Sequence, residues 1–218
     1  MKGAQILLAL LIAAAPVYAT AIRFDSEAEF LQNIEIPYLY DDFNQYTYGS
    51  LIAYYLVLDQ HEYSTVLSAE NKLYSGNGNM STNHVDDVLV LDFSESPTPV
   101  TAVGGYFWPT DIEGSDLIGY TKISLSDGTV LENRDADYTN FLGFVSTDES
   151  GFQKLEISVL GRLDNPYSWP TVDDLYIGSA KNLVGGDDTP IPYPEPSSLL
   201  LLGTGICGIV MVMRRKKK

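Results

Sequence analysis

The stretch Lys154-Leu155-Glu156-Ile157-Ser158-Val159 decides the fold class of this chain. Its apolar side chains alternate with polar ones, and a period of two places every second side chain on the same face of a β-strand. We therefore predict a half-buried strand here, with Leu155, Ile157 and Val159 directed into a core.

Short runs of the same kind recur on both sides of this strand. Residues 123–125 and 129–131 flank Ser126-Asp127-Gly128, and an Asp-Gly pair between apolar runs is the strongest short signal for a hairpin. Other apolar or aromatic runs, bounded by Gly, Pro, Asp or Ser, cover 88–93, 100–107, 141–145 and 172–177. Seven or more short strands at this spacing predict a mainly β fold, built as a two-sheet β-sandwich or jelly roll.

The residues before these strands are predicted to form one short N-terminal helix and a loop. Ser26 and Glu29 have the spacing of a capping box, and Phe30 and Ile34 begin an apolar stripe of helical period. The stretch 71–83 is rich in Asn, Gly and Ser, so we expect it to be a surface loop.

The charge of the chain is unevenly distributed. The net charge is −16, from 29 acidic and 13 basic residues. Six of the basic residues are Lys2 and the five at 214–218. Residues 3–213 therefore contain seven basic and all 29 acidic residues, and their net charge is −22. Such a surface repels nucleic acid and suits divalent cations, so we expect no nucleic-acid partner.

The first 21 residues have the pattern of a secretory signal peptide. Lys2 is followed by an apolar core at 6–15 and by Val17-Tyr18-Ala19, a small-residue cleavage site. Cleavage after Ala21 is equally acceptable. We therefore expect residues 22–180 to be an exported domain.

The C-terminal residues are predicted to form a linker and a membrane anchor. Alternating prolines in 181–196 favour an extended linker. The uncharged stretch 197–213 has seventeen residues, at the short end of the roughly 17–25 that a transmembrane helix needs. The basic tail 214–218 then predicts a cytoplasmic C-terminus.

Within this tail, the triplet Pro194-Glu195-Pro196, the apolar span and the basic end follow in the order of a known signal. Segment 194–218 resembles the PEP-CTERM sorting signal, which exosortase-type membrane proteases process in bacteria that export polysaccharide. The resemblance implies an inner-membrane precursor, an exosortase-type partner, and a mature protein at the cell surface or in the extracellular matrix with exopolysaccharide. An ordinary tail anchor is the alternative.

Parts of the exported domain also resemble a recurring PEP-CTERM ectodomain. The resemblance is carried by four segments, namely 102–111, 124–129, 141–146 and 172–178. It implies a fold and a cellular address, not an activity.

The exported domain shows no recognisable catalytic constellation. His61 and His84 are the only histidines, the only cysteine is Cys207 in the apolar tail, and no serine lies in a G-x-S-x-G elbow. Paired carboxylates for glycoside hydrolysis would arise by chance among 29 acidic residues. We therefore predict a non-enzymatic protein, with a secreted hydrolase as an alternative.

Two aspartate pairs are candidate ligands for calcium. Asp41-Asp42 follows the predicted helix, and Asp173-Asp174 opens the last strand. Oxygen ligands of this kind suit Ca²⁺, and the arrangement is similar to carbohydrate-binding jelly rolls in which a structural calcium joins the start of the domain to its last strand. In a regular strand Asp173 shares a face with Leu175, so an inward Asp173 would need a partner. The alternative is that each pair caps a strand or turn.

Aromatic residues are the remaining candidates for a binding site. Fourteen of the fifteen tyrosines follow the signal peptide, and each tryptophan precedes a proline. Exposed rings can stack on sugars, although rings in a sandwich often belong to the core. The candidate sugar-binding residues are Tyr46, Tyr48, Trp108 and Trp169, and the alternative function is a carbohydrate-binding module with structural calcium.

Overall fold

The computed structural model describes residues 21–46, 49–57, 63–76, 78–160 and 167–181. The predicted signal peptide up to residue 20, the predicted linker beyond residue 181, the predicted sorting signal 194–218 and Tyr48 lie outside the described residues. Within the described ranges, none of the helical structure is long and apolar enough to span a bilayer.

The described residues contain one α-helix and twelve β-strands, and every strand pair is antiparallel. The prediction of a mainly β fold with one short N-terminal helix is confirmed. In chain order the elements are β1 (Ile22–Phe24), α1 (Glu27–Gln32), β2 (Leu39–Asp41), β3 (Gly49–Val57), β4 (Ser64–Gly76), β5 (Asn79–Thr82), β6 (Leu89–Asp92), β7 (Ala102–Thr110), β8 (Gly119–Leu125), β9 (Val130–Ala136), β10 (Phe141–Val145), β11 (Lys154–Leu160) and β12 (Trp169–Gly178).

The strands form one hydrogen-bonded sheet in the order β1-β10-β7-β12-β5-β4-β6-β11-β8-β9, with β2 paired to β12 and β3 paired to β4. The expected division into two sheets is bridged by β4, the longest strand. Its first part pairs with β6 and its last part pairs with β5. We call β1, β10, β7, β12 and β5 the first half of the sheet, and β6, β11, β8 and β9 the second half.

Strand β4 changes halves at a bulge. The register of β3 against β4 shifts between Leu51 and Ala53, so the single residue Ile52 faces four residues, 69–72. Asp87 is buried and accepts hydrogen bonds from Asn71 N (2.8 Å) and Nδ2 (2.7 Å). Such bulges let a strand turn a corner between layers.

The expectation of a loop over 71–83 is wrong, because most of that stretch belongs to β4 and β5.

The main core takes side chains from both halves of the sheet. Phe107 and Val172 from the first half lie in the same buried cluster as Ile123, Leu155 and Ile157 from the second. A flat sheet could not bury one face of both halves together, so the sheet curls over a common core.

The apolar side chains of β11 point inward as predicted. Leu155 and Ile157 are fully buried, whereas Val159 is half-buried near the end of β11. The alternation of this strand is therefore confirmed most clearly at its centre.

Helix α1 packs on the outer face of the first half. Ser26 caps it, with its hydroxyl accepting a hydrogen bond from Glu29 N at 3.4 Å. The buried ring of Phe30 occupies the space over Gly104 and Gly143, which face each other across β7 and β10. A Cβ atom on Gly143 would lie 2.8 Å from Phe30 Cγ, so glycine is required for this close approach.

Candidate functional site

The site begins with an irregularity in β12. The register of β12 against β7 shifts between Asp173 and Tyr176, and Asp174 has a φ of +46°. Val172 and Leu175 both lie in the main core, so the two residues between them are left on the outer face. The regular alternation expected from the sequence, which would group Asp173 with Leu175, is therefore wrong. The bulge instead aligns both carboxylates along one cleft.

Gly105 on β7 accommodates this bulge. A Cβ atom there would lie 3.1 Å from the carbonyl oxygen of Asp173 and 3.4 Å from that of Asp174. Contacts of this kind are tight for a side chain, so the glycine allows the two backbones to approach closely.

Both aspartates line a cleft of ≈ 720 Å³, which we call the acidic cleft. This volume falls in the range of small-molecule sites. Its lining combines aromatic rings, amide and hydroxyl groups and three carboxylates. The lining residues are Asn79, Tyr106, Trp108, Gly114, Ser115, Asp116, Tyr138, Thr139, Asp173 and Asp174.

One wall of the acidic cleft is formed by the loop that follows β7, and Asp111 holds this loop in place. Its Oδ1 atom accepts hydrogen bonds from the backbone N–H groups of Glu113 and Ser115, each at 2.8 Å. Asp111 N in turn donates to Ser115 O at 3.0 Å. This Asx-type turn orders the loop that carries Asp116.

The opposite wall is held in a similar way by Asp137. Its Oδ1 atom accepts hydrogen bonds from the N–H and the hydroxyl of Thr139, at 2.8 and 2.6 Å. Asn140 N donates to Asp137 O at 3.1 Å. The turn presents Tyr138 with 56% of its surface exposed, so this ring is free to contact a ligand.

A second, smaller cleft of ≈ 280 Å³ lies beside the first, and we call it the polar cleft. The two clefts share Asn79 and Gly114 in their linings. Trp169 is half-buried in the polar cleft, and Ile112 is exposed at its edge. The lining residues are Tyr74, Gly76, Asn79, Ser81, Thr82, Asn83, Thr110, Asp111, Ile112, Glu113, Gly114 and Trp169.

Tyrosine–carboxylate hydrogen bonds hold two residues that line the acidic cleft, Asp174 and Tyr106. The Tyr40 hydroxyl donates to Asp174 Oδ1, and the Tyr40 ring packs against Tyr176 with centroids 4.7 Å apart. Glu27 on α1 accepts from the hydroxyls of Tyr106 (3.1 Å) and Tyr176. These bonds connect α1, β2, β7 and β12.

The surroundings of the cleft shift the titration of two groups that line it. Burial raises the pKa of Asp173 to about 7, and the nearby carboxylates of Asp174, Asp42 and Asp41 act in the same direction. Burial and the hydrogen bond to Glu27 raise the pKa of Tyr106 to about 12. A carboxyl group that titrates so close to physiological pH is typical of functional sites.

The predicted calcium ligands lie on neighbouring strands, because β2 pairs with β12 and places Asp41 opposite Leu175. Asp41, however, is already supplied with donors. Its Oδ1 atom accepts from Phe43 N at 2.7 Å, and its Oδ2 atom accepts from the hydroxyls of Tyr46 and Tyr54 at 3.0 and 3.1 Å.

The other predicted ligands also have donors of their own. Asp42 Oδ1 accepts a hydrogen bond from Asn44 N, and hydrogen bonds from the Asn44 side chain and backbone lower the pKa of Asp42. Asp173 Oδ1 accepts a hydrogen bond from Asp174 N. Across the described ranges, no three His, Cys, Asp or Glu residues are grouped to hold one ion. Among the described residues these aspartates are therefore not grouped around one ion, and the calcium site stays a prediction.

The three predicted sugar-binding residues that the structure describes lie in different surroundings. Trp108 lines the acidic cleft but is only 3% exposed, and Trp169 lines the polar cleft. Tyr46 packs against the main core beside Tyr54.

Of the ten residues that line the acidic cleft, the sequence predicted only Trp108, Asp173 and Asp174 as site residues; the seven others include Asn79, Asp116 and Tyr138. Asn79 follows an Asn-Gly pair, and Tyr138 lies in the sequence Asp-Tyr-Thr-Asn. These residue types indicate turns, but they do not indicate that the turns contribute to one cleft.

No family model and no curated protein sequence matches this chain. Among solved structures, two single-residue mutants of CBM29-2, a family 29 carbohydrate-binding module, are similar to it. They have 11% and 10% sequence identity and TM-scores of 0.35 and 0.33, each over 66% of this chain and 100% of that chain. TmCBM61 in complex with beta-1,4-galactotriose has 12% identity and a TM-score of 0.18, over 69% of this chain and 93% of that chain. At these scores the similarity does not extend to function or to individual residues.

Proposed function

We propose that this chain is an exported, non-enzymatic surface or matrix protein that binds polysaccharide through the acidic cleft. The observation that supports the proposal is the lining of that cleft, where aromatic rings and hydrogen-bond acceptors meet in one concave surface. A sugar ring has an apolar face that packs on an aromatic ring and a rim of hydroxyls that donate to carboxylates and amides.

Individual residues can be given roles in this proposal. Tyr138, the most exposed ring of the cleft, stacks on the sugar face. Asp173 and Asp174 accept hydrogen bonds from sugar hydroxyls, and Asn79 both donates and accepts. Because the walls are ordered by Asx-type turns, little conformational entropy is lost on binding.

We further propose that the exported part is a β-sandwich ectodomain of a PEP-CTERM protein. The support is the sequence pattern, with a signal peptide at 1–21, a linker at 181–196, and the triplet, apolar span and basic end in 194–218. An exosortase-type protease then releases the protein from the inner membrane to the cell surface, where exopolysaccharide provides the ligand.

The binding proposal is tested with the full chain purified in detergent and applied to a glycan array. We expect Tyr138→Ala to weaken binding to the best glycan at least about tenfold, equivalent to about 1.4 kcal/mol. Ile52→Ala is the matched control, since Ile52 is 81% exposed on β3 and lines neither cleft. Equal binding by the Tyr138 variant and the control would contradict the role of the acidic cleft.

A second candidate function is glycoside hydrolysis, favoured by the raised pKa of Asp173 beside two other carboxylates. A carboxylic acid with a pKa of about 7 can protonate a leaving group while a neighbouring carboxylate acts as base or nucleophile. The two functions are separated by incubating the protein with its best glycan. New reducing ends that disappear in Asp173→Asn would establish hydrolysis, and an intact glycan would leave binding alone.

A further inference from the structure

We propose that the acidic and polar clefts form one groove that selects polysaccharide bearing free amino groups, such as partly deacetylated hexosamine chains. This inference rests on the proposed carbohydrate-binding function and specifies the chemical class of its ligand. It is carried by the continuity of the two clefts and by the charge of their linings.

The continuity follows from the pairing of β7 and β12. Trp108 lies opposite Thr171, and Trp169 lies opposite Thr110. Side chains two residues apart on a strand share a face, so both tryptophans lie on the same outer face. Between them the hydroxyls of Thr110 and Thr171 form a buried hydrogen bond of 2.8 Å. The shared lining residues Asn79 and Gly114 join the two clefts over this face.

The groove carries carboxylates along its whole length. Asp116, Asp173 and Asp174 line the acidic cleft, and Asp111 and Glu113 line the polar cleft. None of the lining residues is Lys, Arg or His. A cleft lined by one sign of charge concentrates its potential, so the groove attracts a cationic ligand and repels an anionic one.

The hydrogen-bond inventory favours the same ligand class. Ionised carboxylates only accept hydrogen bonds, and an ammonium group offers three donors and a positive charge. Hydrogen bonds between ionised partners are roughly twice as strong as neutral ones. An N-acetyl group offers a single neutral donor, and a uronate adds a negative charge that the carboxylates of the groove repel. The expected order of affinity is therefore amino sugar, then N-acetyl or neutral sugar, then uronate.

The test uses three tetrasaccharides of equal length with the full chain in detergent at about 0.15 M salt, where exposed charges are already screened beyond about 8 Å. The probes are tetramers of glucosamine, N-acetylglucosamine and galacturonate, and calorimetry measures each affinity. We expect the glucosamine tetramer to bind at least tenfold more tightly than the N-acetylated one, and the galacturonate tetramer to show no binding.

Two double variants then separate groove recognition from general attraction to an acidic protein. Asp116→Asn with Asp174→Asn removes two groove charges, and asparagine is well suited to the positive φ of residue 174. Glu95→Gln with Glu149→Gln removes two exposed charges that line neither cleft. We expect the first variant to lose the preference for glucosamine and the second to keep it, with unchanged melting of both as the check on folding.

The outcomes distinguish this inference from the proposed function. Equal binding of the glucosamine and N-acetylglucosamine tetramers, or an equal loss of preference in both double variants, would overturn the selectivity but leave carbohydrate binding intact. If no glycan binds on the array or in solution, both the inference and the proposed function are wrong.

Discussion

The indole Nε1–H of Trp108 donates a hydrogen bond to Asp116 Oδ1 across 2.9 Å. Trp108 belongs to β7 and Asp116 to the loop that follows, so this bond ties one wall of the acidic cleft to the sheet beneath it. Because Trp108 is almost fully buried, its ring supports the wall and does not provide an open stacking surface. The exposed ring of the cleft is instead Tyr138, which comes from the loop between β9 and β10.

The close packing of α1 on the sheet predicts that Gly143→Ala is destabilising. The added Cβ would overlap the buried Phe30 ring, which has no free space to move into. Overpacking of this kind costs about 1–3 kcal/mol, and we expect that loss in the free energy of unfolding measured with urea. Gly49→Ala is the control, because nothing lies within 4 Å of its added Cβ. A Gly143 variant as stable as the control would mean that α1 does not pack as described.

The burial of β11 predicts that Ile157→Asp prevents stable folding. Ile157 is completely buried in the main core, and an unpaired carboxylate there is very costly, about 4 kcal/mol or more. Ser158→Asp, on the opposite and half-exposed face of the same strand, is expected to melt close to the wild type. Circular dichroism on heating measures both. Unchanged melting of Ile157→Asp would contradict the register of β11.

The environment of Asp173 predicts that its contribution to the free energy of unfolding declines as the pH rises. Its pKa is raised to about 7 from 3.8 by burial, so between these values the folded protein binds a proton that the unfolded chain has lost. The contribution is complete at acidic pH and is lost as the pH rises through about 7.

We therefore expect the wild type to lose more stability than Asp173→Asn between pH 5 and pH 8, measured by urea unfolding. Asp135→Asn, an exposed residue on β9, is the control. A parallel pH dependence in wild type and Asp173→Asn would show that Asp173 titrates normally.

The calcium prediction made from the sequence leads to a direct test. Because Asp41 accepts three hydrogen bonds from the protein, we expect the melting temperature to be the same in calcium and in EDTA. A ligand that binds only the folded state would raise it by mass action. A higher melting temperature in calcium that is lost in Asp42→Asn would support the calcium prediction.

The C-terminal pattern predicts that Pro194→Ala with Pro196→Ala traps a full-length precursor in the inner membrane. Proline keeps the backbone extended and removes an amide donor, so the triplet is a stiff, non-helical site beside the membrane. Mass spectrometry of the surface fraction should find a wild-type protein without residues 197–218. A surface protein that ends at Lys218 would indicate an ordinary tail anchor.

The local features of this fold could be predicted because each depends on neighbours in the chain. The alternation at 154–159 indicated the buried face of β11, and Ser26 with Glu29 indicated the start of α1. The prediction failed at 71–83, where Asn and Gly suggested a loop. There, the pairing of β4 with β3 and β5 and the hydrogen bonds from Asn71 to Asp87 hold an extended strand that local propensity does not favour.

The sequence by itself determined the mainly β class, the inward face of the central strand, the capped helix and the acidic charge, because these follow from composition and from periods within a few residues. Only the tertiary structure decided that Asp173 and Asp174 share one side of β12 and meet Asp116 and Tyr138 in a cleft. A bulge depends on how a strand is paired with its neighbours, and one extra residue reverses the side to which every later side chain points. The candidate site is therefore a product of strand register, which a period of two in one segment does not encode.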